Sequence, residues 1–286
     1  MQFPESLRCI GSSAFENNGY LQCITLPKKM EHIGKAAFKD CCAINGELYI
    51  PEGITEIGEE TFSGVANVRC VSFPTTLKKI GKRAFYNFSQ IERANIPSLV
   101  TEIGEEAFYN CIWLTDVNLP SGLKKIESSC FWMCTRLRNL VIPDTVERIE
   151  QLAFGNCCAL KGKLLIPSSV KLIHSTAFYG TGYLRDANGV LYSSPNVGYT
   201  KWLICANHKN KSVNFSGFQI DSEVVGIAAN VFSPSTYLDS KPNRTIDGKL
   251  DLSQAENLKY ICDNAFNGCR KMTGFCLLVA NLNILV

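Results

Sequence analysis

A phenylalanine returns along this chain at Phe15, Phe38, Phe62, Phe85, Phe108, Phe131, Phe154 and Phe178, in steps of 23, 24, 23, 23, 23, 23 and 24 residues. A proline returns at Pro4, Pro27, Pro51, Pro74, Pro97, Pro120, Pro143 and Pro167, with the same steps in the same order. Two residue types held in phase over eight copies cannot be chance, and a period of this length marks a solenoid. Each unit then touches only its neighbours, so 286 residues do not set a domain count as they would for a globular chain. An apolar fraction of 46% is ample for a core that runs along the stack.

Each unit divides into three edges. The first reads Leu-x-x-Ile-x-Ile-Pro, as in Leu114 to Pro120 and Leu137 to Pro143. Its last residues alternate as a half-buried strand does, with Val117 and Leu119 inward and Asp116 and Asn118 outward. Proline ends the strand because it cannot donate to a ladder. Both long steps carry an extra residue with glycine, at Asn45-Gly46-Glu47 and Lys161-Gly162-Lys163, which predicts a bulge. The second edge reads Val/Leu-x-x-Ile, followed by Gly11, Gly34, Gly58, Gly81 and Gly104 in the early copies. Those glycines predict a sharp corner with positive φ. The third edge, x-x-Ala-Phe-x-x-Cys, predicts one or two helical turns, with Phe108 and Cys111 on one inward face. The fold class is therefore an α/β-type repeat solenoid, with a parallel β-sheet on one face and short helices or turns on the other.

The period breaks after Phe178 and resumes near Phe232 and Phe266. Asn188-Gly189, with Val190-Leu191-Tyr192 after it and Trp202-Leu203-Ile204-Cys205 returning, is a hairpin signal. The expected organisation is a repeat array over 1–182, a β-hairpin insertion over 183–224, irregular repeats over 225–275 and a decayed or truncated end over 276–286. The chain opens inside a repeat, which leaves the true termini, their caps and the export route open.

Composition excludes several functions. A net charge of +3, from 29 basic and 26 acidic residues, gives no electrostatic case for nucleic acid. No apolar run is long enough to span a membrane, and Met1-Gln2-Phe3-Pro4-Glu5 does not open a signal peptide. The 14 cysteines include Cys41, Cys111, Cys134, Cys157 and Cys269, each three residues after a repeat Phe. They read as reduced core residues, because parallel rows about 4.8 Å apart hold Cβ atoms beyond disulfide reach. His32, His174 and His208 lack metal-ligand spacing and read as surface histidines, so no metal and no cofactor are expected. Glu59-Glu60 and Glu105-Glu106 read as caps of the short helices rather than catalytic carboxylates. Lys28-Lys29, Lys78-Lys79 and Lys124-Lys125 read as a solvated stripe. Sequons stand at Asn87, Asn210, Asn214 and Asn243.

The pattern Leu-x-x-Ile-x-Ile-Pro-x-x-Val-x-x-Ile-Gly-x-x-Ala-Phe-x-x-Cys resembles the BspA-like class of leucine-rich repeats, the type also found in treponemal surface repeats. Asn188-Gly189-Val190-Leu191-Tyr192 looks like an insert common in that family. One departure is that Gly122 and Thr145 occupy the position of the asparagine ladder of general leucine-rich repeats. The resemblance implies a right-handed leucine-rich-repeat coil on a cell-surface or secreted protein. It also implies adhesion, with a protein or glycan partner of the host-surface or extracellular-matrix kind. It brings no catalytic residue.

Consensus positions hold the coil, so specificity must lie between them. Two outward rows on the first edge are the candidate partner-binding positions: Thr25, Tyr49, Ser72, Asn95 and Asn118 in one, and Glu47, Arg93, Asp116, Asn139 and Lys163 in the other. The leading expectation is a non-enzymatic adhesion module that binds through this face. The alternative is an intracellular scaffold, which the unpaired-looking cysteines and the lack of a signal peptide favour. An enzyme would have only 183–250 to rest on, with His208 as its sole histidine.

Overall fold

The structure is a computed structural model that describes residues 2–183, 191–194, 199–205, 220, 222–232, 248–267, 272–276 and 283–284. The fold is a parallel-strand β-solenoid of about eight turns. Two compact units divide the chain, one formed by Met1–Lys161 with Ala177–Gly182, the other by Gly162–Thr176 with Tyr183–Val286.

In the first unit, each edge of the coil makes its own ladder. On the first edge Asn45–Tyr49, Asn67–Ser72, Arg93–Asn95 and Asp116–Asn118 form a four-stranded parallel sheet. Its register shifts between Gly46 and Glu47, where Gly46 has φ 84°, so the inserted residue is a bulge. On the second edge Glu56–Ile57, Lys79–Ile80 and Glu102–Ile103 make a three-stranded parallel sheet, with each isoleucine buried. Cys9–Ile10 pairs with His32–Ile33, and Lys125–Ile126 with Arg148–Ile149, in the same way.

The third edge is a run of turns, and no α-helix occurs among the described residues. The reason lies in the backbone. The residues two before and two after the repeat Phe have positive φ, as at Glu106 (57°) and Asn110 (58°), or Arg83 (54°) and Asn87 (56°). A helix would send each N–H to the carbonyl four residues back. Here Glu106, Phe108 and Asn110 donate instead to Ser128, Cys130 and Trp132 of the next coil, at 3.1, 2.9 and 2.7 Å. Ala107 and Tyr109, between them, donate within the coil to Gly104 and Glu106. Alternate amides thus close the turn and tie it to its neighbour. With no helix to cap, the paired acids have another role. Glu59 meets Lys35 at 2.8 Å, Glu105 meets Lys82 at 2.6 Å, and Arg83 joins Glu60 to Glu106.

The corner glycines also differ from expectation. Positive-φ glycines among the described residues are Gly46, Gly64, Gly162 and Gly180, none of which is a corner. A Cβ on Gly104 would lie 2.5 Å from the backbone nitrogen of Lys82, and one on Gly81 2.8 Å from that of Glu59. Gly34, Gly81 and Gly104 are required because successive coils touch there, backbone to backbone, whereas Gly11 has no such neighbour and Glu127 and Glu150 hold the same position in later coils.

The core is the stacked interior of the coils. The rings of Phe108, Phe131 and Phe154 lie parallel, with centroids 5.4 Å apart at both steps and interplanar angles of 3°. The same stack continues from Phe15 to Phe178. Cys41, Cys111, Cys134 and Cys157 are fully buried beside it. In place of an asparagine ladder, threonine hydroxyls reach the carbonyls of the preceding coil: Thr76 lies against those of Glu52 and Ile54, and Thr145 donates to Leu123 at 2.9 Å.

In the second unit, Leu191–Tyr192 pairs antiparallel with Lys201–Cys205, which continues parallel into Val224–Ile227, Tyr260–Ile261 and Asn283–Ile284. Trp202 is fully buried and stacks on Tyr260 at 5.8 Å. Phe232 stacks on Phe266 at 5.1 Å and donates its N–H to Ala265, the bond that Phe108 makes to Cys130. The repeat is therefore resumed here. Asn188-Gly189, the loop 233–247 and residues 277–282 lie outside the described residues.

Candidate functional site

The strand register places the outward side chains in rows. Glu47 pairs with Cys70, Cys70 with Arg93 and Arg93 with Asp116, and an isolated bridge adds Asn139. Tyr49 pairs with Ser72 and Asn95 with Asn118, which gives a second row on the same face. Glu47, Tyr49, Ser72, Arg93, Asn95, Asn118 and Asn139 are exposed, and Asp116 is half-buried. Thr25 is exposed and joins Gln2 through a parallel bridge. Lys163 is exposed and belongs to the second unit.

Within this face a groove of about 400 Å³ opens over Asn95, Asp116, Asn118 and Asn139, with Asp144 and Val141 at its far side. Asn139 donates its Nδ2 to Asp116 Oδ1 at 3.1 Å. That bond, then one with Thr115 and the nearby Arg93 and Arg138 cations, hold the Asp116 carboxyl below the usual carboxylate range. Val141 is 73% exposed and Val117 half-buried, although the alternation of the strand points Val117 inward. Asp144 and Ser121 also line the groove. They follow the strand-ending prolines, outside the alternating positions, and carry no periodic signal.

Other surfaces are less open to a ligand. A groove of about 480 Å³ lies over Glu56, Lys79, Glu102, Lys82 and Glu105, but these charges pair with one another across coils. A row of aromatic residues one position after the repeat Phe is also present. Tyr86 stacks on Tyr109 at 4.6 Å, and Trp132 stacks on Tyr179 at 6.5 Å. Gly155 stands between those two, and a Cβ there would collide with the Trp132 ring. The recurrence of an aromatic after Ala-Phe is visible in the sequence and signals this row. Trp113, 41% exposed, is covered on one face by Arg136, whose guanidinium lies 3.6 Å from the ring centroid.

No group of three or more metal-binding side chains occurs among the described residues. His32 is exposed, beside Cys9. His174 is half-buried. Its Nδ1 lies 2.8 Å from Thr176 Oγ1 and 3.2 Å from the Thr176 amide, which donates to it, and its Nε2 lies 3.2 Å from Asn230 Nδ2. His208 lies outside the described residues, as do Asn210, Asn214 and Asn243. Asn87 is exposed and accepts from Asn110 at 3.0 Å, while Phe88 beside it is fully buried. No helix of the described residues is long and apolar enough to cross a membrane.

Known proteins match this architecture. The model of the BspA type leucine rich repeat region matches residues 1–113 and 55–185, in 6 copies. A leucine-rich repeat protein from Bacteroides ovatus aligns with a TM-score of 0.64 at 21% identity, over 100% of this chain and 70% of that one. A leucine rich cell surface protein from Faecalibacterium prausnitzii aligns at 0.56 and 20% identity, over 96% and 80%. The T. pallidum leucine rich repeat protein aligns at 0.52 and 26% identity, over 56% and 77%. Among curated proteins no sequence matches the chain. The repeat class is generally non-enzymatic and is typical of surface and adhesion proteins. Repeat pattern, coil and family model agree, and the chain belongs to the BspA-type leucine-rich repeat family.

Proposed function

We propose that this protein is a surface-exposed adhesion module that recognises a partner through its strand face. The observation that carries this reading is the registered pair of rows. Glu47, Cys70, Arg93 and Asp116, with Tyr49 and Ser72 alongside, stand in line on a rigid sheet, and no repeat consensus constrains them. A flat array of non-consensus side chains on a stiff scaffold is where a solenoid can vary its specificity. Charges of both signs alternate along the row, which suits a protein surface of mixed charge better than a polyelectrolyte. Leucine-rich repeat proteins generally bind protein partners, and one aligned structure is named a cell surface protein. The test is binding to epithelial cells and to immobilised matrix proteins by the wild type and by a Tyr49→Ala/Arg93→Ala/Asp116→Ala variant. Loss of binding with an unchanged circular dichroism spectrum supports the reading. Equal binding by the variant removes it.

An intracellular scaffold is the second reading. The cysteines favour it: Cys41, Cys111, Cys130, Cys134 and Cys157 are free thiols within the core, and Cys9, Cys42, Cys70 and Cys158 are free and exposed. Detection of the native protein on intact cells decides between the two.

A further inference from the structure

We infer that the groove over Asn95, Asn118 and Val141 is a subsite for a neutral saccharide. The inference rests on the strand face being the recognition surface, and it names the ligand chemistry for one part of it.

The lining has the two characters a sugar requires. The amides of Asn95, Asn118 and Asn139 each donate and accept, and the carboxylates of Asp116 and Asp144 accept. A sugar hydroxyl also donates and accepts, so a ring edge with several hydroxyls can satisfy such a mixed set. The apolar component is equally present. Val141, 73% exposed, and the half-buried Val117 offer a surface to the C–H face of a pyranose. An exposed valine among amides and carboxylates has no role in the core.

The site is also organised before any ligand arrives. Asn139 and Asp116 belong to successive coils and are fixed to one another by their 3.1 Å hydrogen bond. Asn95 and Asn118 are held opposite each other by strand register. Ordering in advance lowers the entropy that binding must offset. Three successive coils contribute, at a spacing of about 4.8 Å, close to the length of one pyranose. A linear oligosaccharide laid along the stack would meet a new set of amides at each coil.

Charge decides between ligand classes. No lysine or arginine lines the groove, so a sialylated or sulfated sugar would meet the carboxylates of Asp116 and Asp144 in the lining itself, with Arg93 set beside Asp116 rather than in the groove. A cationic peptide is the competing occupant. Asp116 already accepts from Asn139 and stands in register beside Arg93, which weakens its pull on a further cation and leaves directional hydrogen bonding as the main resource.

The experiment is an array of neutral, sialylated and sulfated oligosaccharides, with an oligolysine peptide in parallel. Titration calorimetry then follows with the strongest neutral oligosaccharide. Asn118→Ala and Val141→Asp should each weaken that binding by about tenfold or more, with native circular dichroism. Selection of charged sugars, binding of oligolysine alone, or affinity unchanged in both variants overturns the inference. If no sugar binds at millimolar concentration while matrix proteins still bind through the strand face, the saccharide subsite falls and the adhesion reading stands. If neither binds, both fall.

Discussion

The thiol of Cys134 donates a hydrogen bond to the carbonyl oxygen of Phe108, one coil earlier, at 3.3 Å. Cys41 does the same to Phe15, Cys111 to Phe85 and Cys157 to Phe131, at 2.9, 3.4 and 3.1 Å. The cysteine that recurs three residues after phenylalanine is therefore more than a small apolar filler. It gives the core a polar contact between coils while keeping the volume that close stacking demands.

Thiol reactivity should divide along this line. Burial, the leading cause, raises the Cys41, Cys111, Cys130 and Cys157 thiols above their ordinary range. A cysteine raised in the fold contributes stability fully below its unfolded pKa of about 8.5. That contribution is lost as pH rises through the folded value. Native protein treated with a thiol reagent at neutral pH should label Cys9, Cys42, Cys70 and Cys158 and spare the buried Cys41, Cys111, Cys130, Cys134 and Cys157 until the chain unfolds. Peptide mass spectrometry reads the outcome. Early labelling of Cys111 or Cys157 would show that the core is open.

Deletion of one ring should be felt according to its burial. Phe108→Ala removes a fully buried ring from the middle of the stack and should cost about 3–5 kcal/mol. Phe15 is only half-buried, so Phe15→Ala should cost clearly less. Urea unfolding of the two variants gives the comparison. Equal losses would mean that the stack does not carry the core.

The corner glycines offer a test of geometry. Gly104→Ala should destabilise by about 1–3 kcal/mol, because its Cβ meets the Lys82 backbone. Gly11→Ala should be neutral or stabilising by up to about 1 kcal/mol, since nothing lies within 4 Å of a Cβ there. If backbone conformation rather than coil contact set the need for glycine, both substitutions would destabilise alike.

The periodic residues revealed the coil because each recurs with its reason: Phe for the stack, Pro for the strand end, Ile for the second edge. The outward rows were legible for the same cause, since a strand's period of two and a fixed repeat length together determine register. The third edge was not. Glu106, Arg83 and Leu152 adopt positive φ although their side chains favour a helix. What overrides that preference is bonding to the next coil, as in Phe108 to Cys130, and no single repeat contains it. The corner glycines misled because close approach and positive φ call for the same residue. The groove was half-visible. Asn95, Asp116, Asn118 and Asn139 stood out, whereas Asp144 and Ser121 join them only through the path of the chain after Pro143 and Pro120.

The most direct measurement is hydroxyl-radical footprinting of the protein alone and bound to the partner identified by the matrix and cell assays. Tyr49, 51% exposed on the strand face, should become protected on binding. Tyr20, 96% exposed, and the Tyr86, Tyr109 and Trp132 row should keep their reactivity. Protection of the aromatic row with Tyr49 unchanged would place recognition on the turn face and contradict the account.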